Sequence, residues 1–286
     1  MPTLGGKQLW GDMFLYGGYR IQQNVFTRHF RLLGPGDVRL AAGSYEHCHA
    51  RFVRLRNLRE IPPVGDHWVL LLHGIFRSKD SFSPMTRALR AAGYEAHGVN
   101  YPSTRQSLED HADQVEALLE RAEGAKTVSF VTHSMGGIVA RVLLARKDRP
   151  WRERIAVNRL VMIATPNRGA ELATRLDQLP AFRAFAGPSL GQMALERCDN
   201  IPLPTVPFAT VSGVRGDGRG FNRLLPGDND MTVTLESTML DGAEDSLVVN
   251  RIHTFIQIDP QVIEATIRYL GTGRFAEAVA DGARSG

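Results

Sequence analysis

Along this chain the spacing of apolar and polar positions changes near residue 62. Downstream, short unbroken apolar runs alternate with longer amphipathic stretches. Trp68–Leu72 is one such run, the pattern of a strand buried on both faces. A helix is expected from Ser83-Pro84, a cap followed by a first-turn proline, to the stop at Gly93. Tyr94–Val99 reads as a second strand. Ser107–Glu123 places apolar residues at 108, 112, 115, 118, 119 and 122, close to a 3.6 period, before Gly124. Further strands are expected at Thr127–Val131, Arg159–Ala164, Pro207–Val211 and Ser246–Val249. A helix should begin near Ser134, and a last one should run from Pro260 through Leu270. Strands alternating with helices at this spacing predict an α/β fold: a mostly parallel central sheet with helices on both faces.

Residues 1–60 do not share this rhythm. Trp10–Tyr19 is rich in aromatics and glycines, and Ile21–Leu33 mixes apolar with basic positions, so the extension carries no clear structural signal. Pro62-Pro63 closes it, since proline neither donates to a ladder nor continues a helix. The expected organisation is an extension over 1–60, a catalytic domain over 61–275 and a tail over 276–286.

Composition alters this picture little. The 286 residues are 43% hydrophobic and 22% charged, ordinary for a globular protein with a real core. The net charge of +4 is modest, and no basic stripe interleaved with aromatics argues for nucleic acid. The arginines of Arg51–Arg59 read as a solvated face, the alternative being a patch for a membrane surface or an anionic partner, so surface association stays open. Two cysteines, Cys48 and Cys198, are too few for a disulfide framework. With neither a secretory leader nor a membrane-length apolar run in view, a cytoplasmic protein is expected. His47-Cys48-His49 could place two ligands on one face of a strand, but without a distant partner it makes a poor metal site.

In parallel sheets, ligands bind at the carboxyl ends of strands. Thr132-His-Ser-Met-Gly-Gly137 follows a strand directly and opens a helix, the context in which a G-x-S-x-G-like elbow exposes a nucleophilic serine, here Ser134. Gly136 and Gly137 supply the small residues such a turn needs, whereas Thr132 stands where glycine is usual. His73-Gly74-Ile75 ends the first strong strand. Acyl transfer builds negative charge on an oxygen, and backbone N–H groups stabilise it. The candidate donors are Met135, after the nucleophile, and Ile75, with Phe76 as second choice. A serine also needs a base held by an acid, in the chain order Ser, Asp or Glu, His. Of nine histidines only His253 lies beyond Ser134. Asp228 and Asp230 both qualify as the acid. Asp230 is favoured because it adjoins the apolar run Met231-Thr232-Val233.

These segments, with Ala164-Thr-Pro-Asn-Arg-Gly169, make the chain resemble bacterial lipases and serine esterases of the α/β-hydrolase superfamily over roughly residues 66–270. The resemblance implies hydrolysis of carboxylic (acyl) esters through an acyl-enzyme, without a cofactor. It supports Asp230 as the acid and Ile75 with Met135 as the oxyanion hole. A small-molecule or lipid acyl ester is the expected partner. The same groups could serve an acyltransferase or thioesterase, or a non-catalytic binding protein could keep the scaffold.

Residues 170–207 carry Leu172, Leu176, Phe182, Phe185, Leu190 and Met193, among other apolar positions. They could form a helical lid with an acyl-binding inner face, or an ordinary crossover whose apolar residues are core. Tyr101–Arg105 follows the second strand and should lie near the rim of the site.

Overall fold

A computed structural model describes residues 6–195 and 198–276. Its centre is a six-stranded, wholly parallel sheet of β5 (His67–Leu72), β6 (Glu95–Val99), β7 (Thr127–His133), β8 (Ala156–Ile163), β9 (Phe208–Val214) and β10 (Asp245–Asn250). The strand order is β10-β9-β8-β7-β5-β6. The chain steps from β5 outward to β6, then crosses back to β7 on the other side of β5. The order therefore reverses between β5 and β7, where parallel sheets open a crevice beyond their carboxyl ends. Candidate residues follow both strands.

Alternation along β5 divides the core. Trp68, Leu70 and Leu72 face α3 (Leu108–Glu120) and α4 (Met135–Ala145), while Val69 and Leu71 face α2 (Ser83–Ala91) and α9 (Pro260–Thr272). Both faces are buried, so the strand reads as a continuous apolar run. Local chemistry sets the helix ends. Ser107 and Asp110 form a reciprocal capping box on α3, and Asp259 caps α9 ahead of Pro260. The expected strands and helices are all present, with ends shifted by a few residues.

The extension is folded. β1 (Trp10–Tyr16), β2 (Tyr19–Asn24), β3 (Phe30–Gly34) and β4 (Val38–Gly43) form an antiparallel meander, and α1 (Tyr45–Leu58) packs across it. Phe14, Tyr16, Ile21, Leu32, Phe52 and Leu55 form its own core. His47, Cys48 and His49 thus lie on a helix and not on a strand, and they point about 100° apart in succession. Arg56 of α1 pairs with Glu123 at 2.7 Å, and Arg59 bonds the Tyr19 hydroxyl.

Between β8 and β9 the chain forms α5 (Glu171–Asp177), α6 (Pro180–Ala186) and α7 (Pro188–Gln192). The short α8 (Leu235–Thr238) follows the loop that carries Asp228 and Asp230. Among the described residues, no helix is long and apolar enough to cross a membrane. From residue 277 onward, the expected tail lies outside the described residues.

Candidate active site

Strand β7 becomes helix α4 with only Ser134 between them. So abrupt a turn forces Ser134 to φ 55° and ψ −126°, a backbone state that costs a non-glycine residue roughly 1–3 kcal/mol. The Ser134 N–H is tied to the Ile163 carbonyl at 2.9 Å. Close approach explains the glycines: a Cβ on Gly136 would sit 2.1 Å from the Leu72 carbonyl oxygen, and one on Gly137 would meet the Thr165 side chain. Thr132 is accommodated because its buried hydroxyl donates to the Val161 carbonyl at 3.0 Å on the neighbouring strand.

Ser134 Oγ lies 3.0 Å from His253 Nε2, and His253 Nδ1 lies 2.6 Å from Asp230 Oδ2. Asp230 is wholly buried. Its Oδ1 accepts from the N–H groups of Thr232 and Val233, and its carbonyl accepts the N–H of His253. Asp228 has different partners: its oxygens accept from the backbone of Arg215, Gly216 and Asn229, closing the loop after β9. Of the two candidate acids, only Asp230 meets the histidine.

Met135 is the first residue of α4, where a helical N–H has no acceptor within its helix. Ile75 lines the same cavity as Ser134. Its loop is a four-residue turn closed by the Arg77 N–H on the Gly74 carbonyl, with Phe76 at φ 60°. A Cβ on Gly74 would come within 2.9 Å of the Ser134 Cβ, so this turn is pressed against the elbow.

His73 of the His-Gly-Ile segment and two residues that sequence reasoning did not single out, His133 and Arg77, complete the surroundings. His133 donates from Nε2 to the His253 carbonyl at 3.0 Å, and its ring lies 4.7 Å from that of His253. Burial, and next the neighbouring His253, holds its pKa well below the ordinary histidine value. His73 donates from Nδ1 to the Gly74 carbonyl at 2.8 Å and stacks on Tyr101 at 4.1 Å; burial pushes its pKa down to about 4. Arg77 reaches from the turn to the Thr254 hydroxyl at 3.1 Å. Only its place beside Ser134 marked His133 in the sequence. Arg77 depends on a contact across 177 positions, which leaves no local signal.

Tyr101 is buried behind the Gly74 turn, where its hydroxyl donates to the His73 carbonyl, and is not at the rim. The cavity over Ser134 measures about 380 Å³. Its apolar wall includes Leu172, Leu176, Phe182, Leu190, Met193 and Val233, so α5–α7 turn apolar residues toward the serine. Several of these side chains also pack on the core. Among the described residues, no cluster of three or more His, Cys, Asp or Glu side chains could hold a metal ion.

A domain of unknown function, DUF7379, matches residues 41–181, which include Gly74 and Ser134 but end before Asp230 and His253. The comparison with curated proteins finds no match. In structure the chain is similar to the mature form of the Bacillus licheniformis lipase BlEst2, with a TM-score of 0.58 and 19% identity, covering 71% of this chain and 91% of that one. It is also similar to a metagenomic carboxyl esterase, with a TM-score of 0.56 and 18% identity over 74% and 78% of the two chains. The parallel sheet and these likenesses define an α/β-hydrolase fold.

Proposed function

We propose that this protein is a serine hydrolase that cleaves carboxylic esters in the manner of a carboxylesterase or lipase. The observation that carries the reading is the unbroken path Ser134 Oγ–His253–Asp230, ending beneath an apolar cavity. In the first half-reaction Ser134 Oγ attacks the ester carbonyl while His253 Nε2 takes its proton. Asp230, fixed by two backbone donors, holds the Nδ1–H tautomer and stabilises the imidazolium. The Ile75 and Met135 N–H groups receive the oxyanion. Collapse breaks the C–O bond, and His253 returns the proton to the departing alcohol. Water then attacks the acyl-enzyme by the same path, releasing the acid and restoring Ser134. The aliphatic and aromatic wall suits an acyl chain, since burying apolar surface there is favourable by about 25 cal/mol per Å². The chemistry needs no cofactor.

The test is turnover of p-nitrophenyl esters from acetate to palmitate, with Ser134→Ala beside the wild type. Hydrolysis that disappears in a folded Ser134→Ala protein is the expected result. Wild-type protein inert toward the whole series, or a mutant as active as wild type, would refute the reading.

A further inference from the structure

The folded extension touches the candidate oxyanion turn, and the contact runs through one side chain. Gln8, in the single turn Lys7–Leu9 before β1, donates from Nε2 to the Arg77 carbonyl at 2.6 Å. Its Oε1 accepts from the hydroxyl of buried Ser103 at 2.9 Å. One amide therefore bridges the turn after β5 and the segment after β6.

Two features make this bridge consequential. The Gly74–Arg77 turn has Phe76 at φ 60°, which a bulky L-residue adopts only when its surroundings hold it there. Two contacts hold it: His73 grips the carbonyl at the start of the turn, and Gln8 grips the carbonyl at its end. Gln8 is itself anchored, because β1 is fastened to the end of β6. Buried Asp12 accepts from the Asn100 N–H at 2.7 Å and from Gln22 and Arg20, and its own N–H donates to the Asn100 carbonyl at 2.8 Å. Gln114 of α3 donates to both the Asp12 and Asn100 carbonyls.

We propose that the N-terminal unit serves the site through Gln8, a positioning residue that holds the Gly74–Arg77 turn so that the Ile75 N–H meets the developing oxyanion. The inference rests on the ester-hydrolase reading. Gln8 touches no substrate in this scheme; it fixes where a donor points. Complete loss of an oxyanion donor lowers kcat by about 10²–10³, so a loosened one should lower it by roughly 10-fold.

The experiment compares Gln8→Leu and Gln8→Glu with wild type and with Gln23→Ala. Glutamate keeps an acceptor for Ser103 but sets a second oxygen against the Arg77 carbonyl. Gln23 belongs to the same unit, yet its side chain bonds only the exposed Arg28 carbonyl among the described residues. Both Gln8 variants should show kcat lower by about 10-fold, KM within about twofold and Tm within about 3 °C of wild type. Amide hydrogen exchange should quicken at 75–77 in Gln8→Leu and not in α4. Gln23→Ala should match wild type in kcat. The proposal is overturned if the Gln8 variants keep full kcat and unchanged exchange, or if kcat falls only together with Tm as in a general loss of stability. Wild-type protein inert toward every ester would instead remove the hydrolase reading, and the oxyanion role of Gln8 with it. Exchange at 75–77 would then still report whether the clamp itself exists.

Discussion

Asp228 and Asp230 sit two positions apart on one loop, and the backbone donors around each decide what it can do. On Asp230, the N–H groups of Thr232 and Val233 occupy Oδ1, leaving Oδ2 for His253. In Asp230→Asn those two donors keep the amide oxygen on their side and turn the NH₂ toward His253 Nδ1. The ring must then accept there and present Nε2–H to Ser134, the tautomer that cannot take the serine proton. We expect kcat to fall by about 10⁴ with the fold intact. Asp228→Asn sets an amide against N–H groups of the 215–218 loop, so it should lower Tm by a few degrees while leaving kcat within a few-fold. Ester kinetics and thermal melts of the two variants check this; a greater loss of kcat at 228 would reverse the assignment.

At the scale of elements, the elbow between β7 and α4 depends on close approach. The Cβ of Gly136→Ala would meet a backbone carbonyl of β5 at 2.1 Å, and a strand in the middle of the sheet cannot move aside. That variant should lose more than about 3 kcal/mol or fail to accumulate as folded protein. Gly271, exposed near the end of α9, has only the Tyr94 hydroxyl near, at 3.8 Å, so Gly271→Ala should raise stability by up to about 1 kcal/mol. Urea unfolding of both variants gives the comparison, and a stable Gly136→Ala protein would contradict the packing described for the elbow. The same physics explains what was legible in the sequence. β5 is buried on both faces and reads as an unbroken apolar run, β7 still reads as a strand from Val128, Phe130 and Val131 although buried Ser129 interrupts them, and Ser134 and His253 stand out by order and by following strands. The extension was opaque because β1 is buried on both sides, by α1 and by α3, and has a register shift after Asp12. Its alternation is lost, and a buried carboxylate interrupts it. Gln8, His133 and Arg77 act through partners 69 to 177 positions away, which no local pattern encodes.

Across the whole molecule, three buried histidines from different elements meet where the strand order reverses. They are His73 after β5, His111 on α3 and His133 on β7. Burial is the first cause of lowering in each case, holding His73 to about 4, His111 to about 3 and His133 well below its ordinary value. In the unfolded chain each would bind a proton near pH 6.5. Between pH 6.5 and about 4 the unfolded state therefore holds more protons than the native one, so native stability falls as pH falls through that window. Above about pH 7 these groups contribute no slope. His111 offers the cleanest test, because neither ring nitrogen has a hydrogen-bond partner among the described residues and the ring packs 4.8 Å from that of Tyr101. Phenylalanine keeps a ring there and removes two unsatisfied polar atoms, each worth roughly 1–3 kcal/mol when buried. His111→Phe should thus be at least as stable as wild type at pH 7.5 and should lose less stability on moving to pH 4.5. Urea unfolding at the two pH values measures both terms. If the acid-side slope of the variant equalled that of wild type, His111 would not be part of the proton uptake, and the loss would have to come from the carboxylates and the other histidines whose pKa burial lowers, His67, His73, His97 and His133.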